Sequence, residues 1–297
     1  MSLAKNYRHS PNIKNKIRQN LRQSFAEFRQ MQHLSEQHLS KWLDGRELAG
    51  VDGSVNQTKG EAPHVLYMFQ ALAKTTTGFE CRDADLFLPL IEQQETGDEQ
   101  ASPLKWRAHL LAKLELRVAT ELIKKRPLAL LLMDGALYHY RIDAPEEWEQ
   151  LKQTALEHQV LLVGVSEEIT TENLIKLEPF SEMTQWPHTY DRDLLFGVLQ
   201  QGEMVYLESI QNKAGLQSVW MRPSSSPAIT GFDLLNEQAD QRNTVANLLF
   251  TLTPKDGRGI PLWLDYIDRE VRLTDKLVEA LIEQYIDPEM RQRFFFP

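Results

Sequence analysis

The chain contains two Asp-Gly steps, each entered through apolar residues. Leu48-Ala49-Gly50-Val51 leads to Asp52-Gly53-Ser54, and Leu128-Ala129-Leu130-Leu131-Leu132-Met133 leads to Asp134-Gly135-Ala136. An uninterrupted aliphatic run reads as a strand buried on both faces, as in the middle of a parallel or mixed sheet. An Asp where such a strand stops puts a carboxylate at the sheet's end, where open α/β sheets place their sites. The Gly after it allows a sharp turn or a close backbone approach. One such step is only a turn. Two at the ends of apolar strands point to paired carboxylates converging on a metal.

A third acid joins them. Residues Leu104 to Lys125 read as an amphipathic helix, with Ser102 as N-cap and Pro103 in the first position. Leu104, Ala108, Leu111, Val118 and Leu122 share one stripe, and Glu115 lies in the middle of it; Glu121 falls at the edge, beside the polar face. A carboxylate aimed at a core is costly unless it is paired, hydrogen-bonded or bound to a cation. The alternative to a metal is a buried salt bridge, with Arg222 as a partner.

These residues resemble the NurA nucleases. That family's pattern is a Val-Asp-Gly-Ser strand, a Glu-bearing helix running into an aliphatic strand ending Asp-Gly, then a Val-Gly-Val/Ile-Ser strand. An Asp-rich helix start, a Gly-Glu step and a C-terminal Pro-x-x-Leu-x-x-Ala-Asp-like helix follow. Here the counterparts are Val51-Asp52-Gly53-Ser54, Leu114-Glu115, Leu132-Met133-Asp134-Gly135-Ala136-Leu137 and Val163-Gly164-Val165-Ser166. They continue with Asp191-Arg192-Asp193-Leu194-Leu195, Gly202-Glu203 and Pro261-Leu262-Trp263-Leu264-Asp265-Tyr266-Ile267-Asp268, so the likeness runs from about Leu48 to Tyr285. Two positions depart from it. Members often carry Lys directly after the Gly-Ile-Ser strand, where this chain has Glu167, and Ile267 replaces the Ala of the last element.

The resemblance implies a Mn²⁺- or Mg²⁺-dependent DNA nuclease, with single-strand endonuclease and 5′-to-3′ exonuclease activity in DNA end processing and repair. It also implies a homodimer that works with a HerA-like hexameric ATPase. Phosphodiester cleavage needs an activated water and neutralised charge on the phosphate and the leaving oxygen, which two divalent ions roughly 3.5–4 Å apart can provide. Hard oxygen ligands suit Mg²⁺ or Mn²⁺. Asp52, Glu115 and Asp134 are the candidate catalytic ligands, and the family motif makes Asp268 the fourth. Asp268 reads equally as an exposed helix acid among Asp265, Arg269 and Glu270. Asp191 reads first as an N-cap. His139, just past Asp134, either approaches the substrate or is structural. Two other classes stay open: a non-catalytic adaptor of a DNA-translocating ATPase, for which Glu167 is the hint, and a metal-dependent phosphatase.

Composition narrows the classes further. The lone Cys81 excludes an intrachain disulfide scaffold, and no Cys/His spacing suits zinc. No run is long enough for a membrane span, and the N-terminus has no apolar signal core, so the expected compartment is the cytoplasm. A net charge of -9 argues against a general nucleic-acid coat. Divalent ions can still supply positive charge where phosphate binds. Positive charge collects in the N-terminal segment, where Lys5, Arg8, Lys14, Lys16, Arg18, Arg22 and Arg29 meet only Glu27. Ile13, Ile17, Leu21, Phe25 and Phe28 form an apolar stripe there, predicting a basic amphipathic helix that either packs on the domain or meets DNA. Acidic excess at Glu92–Glu99 and Glu146–Glu149 reads as solvated surface.

The remaining pattern predicts one or two helices over 12–44, strands at 64–74 and 160–165, and a helix after Pro145. A short helix over 190–201 and strands near 204–209 and 216–222 follow. Residues 245–252 read as a strand and 261–285 as one long helix. The whole, residues 1–297, is read as a single nuclease domain with a basic helical segment over about 1–46. Strands first and then helix–strand alternation predict an α/β fold, an RNase H-like mixed sheet flanked by helices. Phe294-Phe295-Phe296 at the C-terminus reads as an interaction surface or a tail folded over its own domain.

Overall fold

The computed structural model describes residues 10–60, 63–91, 103–183 and 190–295. Ser102, Lys5, Arg8, the acidic 92–99 stretch and Phe296 lie outside the described residues, as do the side chains of Phe294 and Phe295. The strands are β1 (Glu27–Gln30), β2 (Glu47–Gln57), β3 (Tyr67–Thr75), β4 (Glu80–Phe87), β5 (Leu128–Asp134), β6 (Leu161–Ser166), β7 (Glu203–Tyr206), β8 (Asn212–Lys213), β9 (Leu216–Arg222) and β10 (Thr230–Leu235). The helices are α1 (Pro11–Gln23), α2 (Glu36–Leu43), α3 (Pro103–Lys125), α4 (Leu137–Asp143), α5 (Pro145–Glu157), α6 (Asp191–Leu195) and α7 (Glu208–Gln211), then α8 (Arg242–Leu252), α9 (Leu262–Val271), α10 (Asp275–Tyr285) and α11 (Pro288–Phe295). Together they form the expected α/β fold, a large mixed sheet flanked by helices. Strand order is β1-β7-β9-β10-β6-β5-β2-β3-β4, with β8 on β9.

Contacts group the chain into two compact units. The first comprises Met1–Arg46, Leu132–Tyr138 and Leu161–Asp265, and the second Glu47–Leu131, His139–Val160 and Tyr266–Pro297. In the second unit β2, β3 and β4 form an antiparallel meander, and α3 lies across it and packs on α5. Of the stripe on α3, Val118 and Leu122 are buried and Ala108 and Leu111 half-buried, the side chain of Leu104 lies outside the described residues, and Glu121 is exposed. In the first unit β1, β7, β9, β10 and β6 pair antiparallel. Ile17 and Leu21 of α1 enter a core with Phe180, Leu194 and Trp220. β5 is shared, Leu128–Leu131 falling in the second unit and Leu132–Asp134 in the first.

Several elements differ from the sequence reading. β2 does not stop at Asp52. It runs on to Gln57 because β3 keeps pairing it, Asp52 opposite Leu72 and Gly53 opposite Ala71. What ends at Asp52 is full burial: Glu47 to Val51 are buried and the residues after them only partly so. Residues 245–252 are helix, not strand, for short apolar runs do not distinguish the two. The stretch 261–285 is two helices, α9 and α10, interrupted where Thr274 caps the second by accepting the Leu277 N–H. The 190–201 helix is only α6, and His139 sits on helix α4 rather than a strand extension. Residues 27–30, inside the span read as helix, form strand β1 because β7 pairs with them, and 80–87 and 230–235 are strands that the sequence reading left unassigned.

The basic N-terminal stripe is also revised. Phe25 has left-handed backbone (φ 65°) and is 89% exposed, so it leaves the apolar face after α1 ends. Arg18 is enclosed, donating both terminal nitrogens to Glu203 at 2.6 and 2.7 Å, and its guanidinium stacks over Phe28. Arg22 stacks on the same ring. Part of the basic face is therefore spent on internal packing.

Candidate metal centre

In the second unit, Asp52 is half-buried on β2, and its Oδ1 accepts the Gly53 N–H at 2.7 Å. Glu115 is 6% exposed, carried down from α3 onto the strand. A β-carbon built on Gly53 would fall 2.3 Å from Glu115 Oε1 and 2.7 Å from Leu111 Cδ1. Because Gly53 has no side chain, the Glu115 carboxylate occupies the space directly after Asp52 that a β-carbon would take. Tyr140 on α4, itself buried, donates its hydroxyl to Glu115 Oε2 at 2.5 Å. The buried acid foreseen on the α3 stripe thus has a hydrogen-bond partner the sequence reading missed.

In the first unit, Asp134 ends β5, the strand next to β2 in the sheet order. Gly135 turns the chain with φ 96°, its N–H donating to Val165 O at 2.8 Å. β6 approaches this turn closely, since a β-carbon on Gly164 would lie 2.6 Å from Gly135 O and 2.9 Å from Leu137 N. Leu137 N–H then donates to Asp233 Oδ2 at 2.9 Å, and Ser218 donates to Asp233 Oδ1 at 2.5 Å. Burial pushes the Asp233 carboxyl up from its ordinary range, against the pull of Ser218 and the Leu137 amide. Asp233 was also missed, although Phe232-Asp233-Leu234-Leu235 repeats the pattern of a carboxylate within an apolar run.

The remaining candidates have their own settings. Asp268 on α9 pairs with Arg272 one turn on, at 2.6 Å. Asp191 is not an N-cap: it is fully buried, and it accepts from Thr171 Oγ1 and from the amides of Asn173, Leu174 and Ile175. Burial raises its pKa and those donors oppose the rise. His139 packs on the Tyr140 ring and faces Asp143 at 3.3 Å; burial lowers its pKa and Asp143 counteracts this. Arg222 donates to the carbonyls of Leu199, Ser225 and Ser226, clamping the loop after β9. Glu167 is ion-paired to Arg258 at 2.7 Å, and Arg258 also holds Asp265.

Among the described residues, no three His, Cys, Asp or Glu side chains stand together as a ready metal cage. The donors themselves are hard carboxylate oxygens, and the bare backbone at Gly53 leaves room for one of them. This chemistry fits Mg²⁺ or Mn²⁺.

A mixed sheet with acids on its strands and on a helix laid over them defines an RNase H-like α/β protein. The chain belongs to the NurA family: the model of the NurA domain matches residues 46–273. Among solved structures, the NurA nuclease from Sulfolobus solfataricus is 14% identical, with a TM-score of 0.56 over 92% of this chain and 91% of that one. At that identity the likeness concerns the fold. The catalytic domain of human Endonuclease V is 13% identical over 93% of this chain and 98% of its own, with a TM-score of 0.41, too low to bear on either fold or function. The comparison with curated proteins gave no significant match. Family membership supports a nuclease. No helix among the described residues is long and apolar enough to cross a membrane.

Proposed function

We propose that this protein is a divalent-metal-dependent DNA nuclease, acting in the cytoplasm on DNA ends as a single-strand endonuclease and 5′-to-3′ exonuclease. The observation that carries the reading is the buried Glu115 carboxylate laid on the glycine that follows Asp52. A helix would not send an acid into that position for packing alone. Asp52, Glu115 and Asp134 would hold Mn²⁺ or Mg²⁺, with Asp268 drawn from its pair with Arg272 as a fourth ligand. When bound, such ions polarise the phosphate and make a water acidic enough to attack at neutral pH. The chain's own part is to hold hard oxygens in place. Gly53 admits Glu115, the Gly135 turn ends β5 at Asp134, and Asp233 pins the first residue of α4 behind that turn.

Glu167, where lysine is common, favours the adaptor reading only if the neighbourhood has lost its cation. Arg258 stands beside Glu167 but is already held by both Glu167 and Asp265, so the buried Glu115 carboxylate on Gly53, and not this charge, decides between the readings. We therefore prefer the enzyme, working as a homodimer with a HerA-like hexameric ATPase. The deciding assay incubates end-labelled single- and double-stranded DNA with Mn²⁺, Mg²⁺ or EDTA. Metal-dependent cleavage that Asp52→Ala, Glu115→Ala and Asp134→Ala each abolish, with circular dichroism unchanged, is the expected result. Full activity in the Asp52 variant, or cleavage in EDTA, would refute it. Light scattering and a pull-down with a HerA-like ATPase test the assembly.

A further inference from the structure

We propose that Tyr140 is a positioning residue for the metal-binding carboxylate, orienting Glu115 so that it meets a cation through Oε1. This rests on the reading of Glu115 as a ligand. The Tyr140 hydroxyl lies 2.5 Å from Glu115 Oε2, the length of a charge-assisted O–H···O⁻ bond. Both groups are buried, Tyr140 at 1% and Glu115 at 6% exposure, so water competes little for either partner. The other oxygen, Oε1, is the atom that lies over Gly53. The carboxylate is thus defined from two sides, by a phenol at one oxygen and by strand backbone at the other.

The phenol is itself held. Its ring packs on His139 at 3.9 Å, tilted by 36°, and lies parallel to Trp148 on α5 at 6.4 Å, tilted only 6°. Partners of this kind behind a ligand set its direction and basicity, and their loss weakens metal binding by about 10–100-fold.

The test is Mn²⁺ titration of the full-length protein by calorimetry, together with the melting temperature with and without Mn²⁺. Tyr140→Phe removes one oxygen and keeps the ring. It should bind Mn²⁺ about 10–100-fold more weakly, show a smaller Mn²⁺-induced rise in melting temperature, and keep the KM for DNA once Mn²⁺ is saturating. Tyr140→Met, which also lacks the donor, should show the same loss and serves if the Phe variant does not fold. Glu115→Gln and Asp52→Asn run alongside. If Glu115→Gln loses Mn²⁺ binding while Tyr140→Phe binds like the wild type, the positioning role is overturned and the nuclease reading stands. If the wild type binds no Mn²⁺, both fall.

Discussion

Asp233 is buried, and a buried carboxylate resists ionisation. Its folded pKa is raised above the unfolded value of about 3.9. The stability it contributes is therefore fully present below that value and is lost as pH rises through the folded pKa. Asparagine can accept from the Leu137 amide and donate to Ser218, and it has no proton to lose. Asp233→Asn should gain stability relative to the wild type as urea unfolding is moved from about pH 4 toward neutrality. A stability difference that is flat with pH would refute the assignment. Asp191, also raised, contributes equally to both proteins and cancels. Gly53 makes the second prediction at this scale. Its missing side chain is the space that Glu115 uses, so Gly53→Ala should cost about 1–3 kcal/mol in urea unfolding and abolish metal-dependent cleavage. Asp52, Glu115 and Asp134 could be picked out from the sequence because an acid in an apolar run is conspicuous. Tyr140 could not, since a buried tyrosine reads as core until its hydroxyl's partner is known.

Among the elements, α1 shows how a charge pattern divides between surface and core. Seven cations in sequence suggested a nucleic-acid face, yet Arg18 is the enclosed partner of Glu203. Breaking a buried pair strands the other charge, so Arg18→Ala should cost about 3–5 kcal/mol in denaturant unfolding. The salt dependence of DNA binding should stay as it is, because both terminal nitrogens of Arg18 are taken up by Glu203. A weaker salt slope with unchanged stability would reverse that view. The Thr274 hydroxyl caps α10 after the break, and Thr274→Ala should cost about 1 kcal/mol, read as a lowered melting temperature. A helical stripe can be followed across 261–285 by periodicity alone. The interruption depends on Leu273 docking its amide on Ser54 Oγ of β2 at 2.9 Å, a contact between residues far apart in the chain.

For the whole molecule, a cation that binds only the folded state must stabilise it by mass action. At a hundredfold excess over its dissociation constant, Mn²⁺ should add about 2.7 kcal/mol, and EDTA should remove the gain. Asp52→Asn or Glu115→Gln should show no such gain. Equal Mn²⁺ stabilisation in all three proteins would place the ion elsewhere. The sequence alone determined the α/β class and the family likeness and nominated the three acids as candidates, because burial periodicity and acids set in apolar runs are local signals. The tertiary structure decided that β2 continues past Asp52, that 245–252 is helix, and that Arg18 is inside. It also decided that Gly53, Tyr140 and Asp233 hold the acids and their turn. These depend on what packs or pairs against each segment: β3 against β2, Glu203 against Arg18, α3 against Gly53. Such partners are distant in sequence, and local pattern carries no record of them.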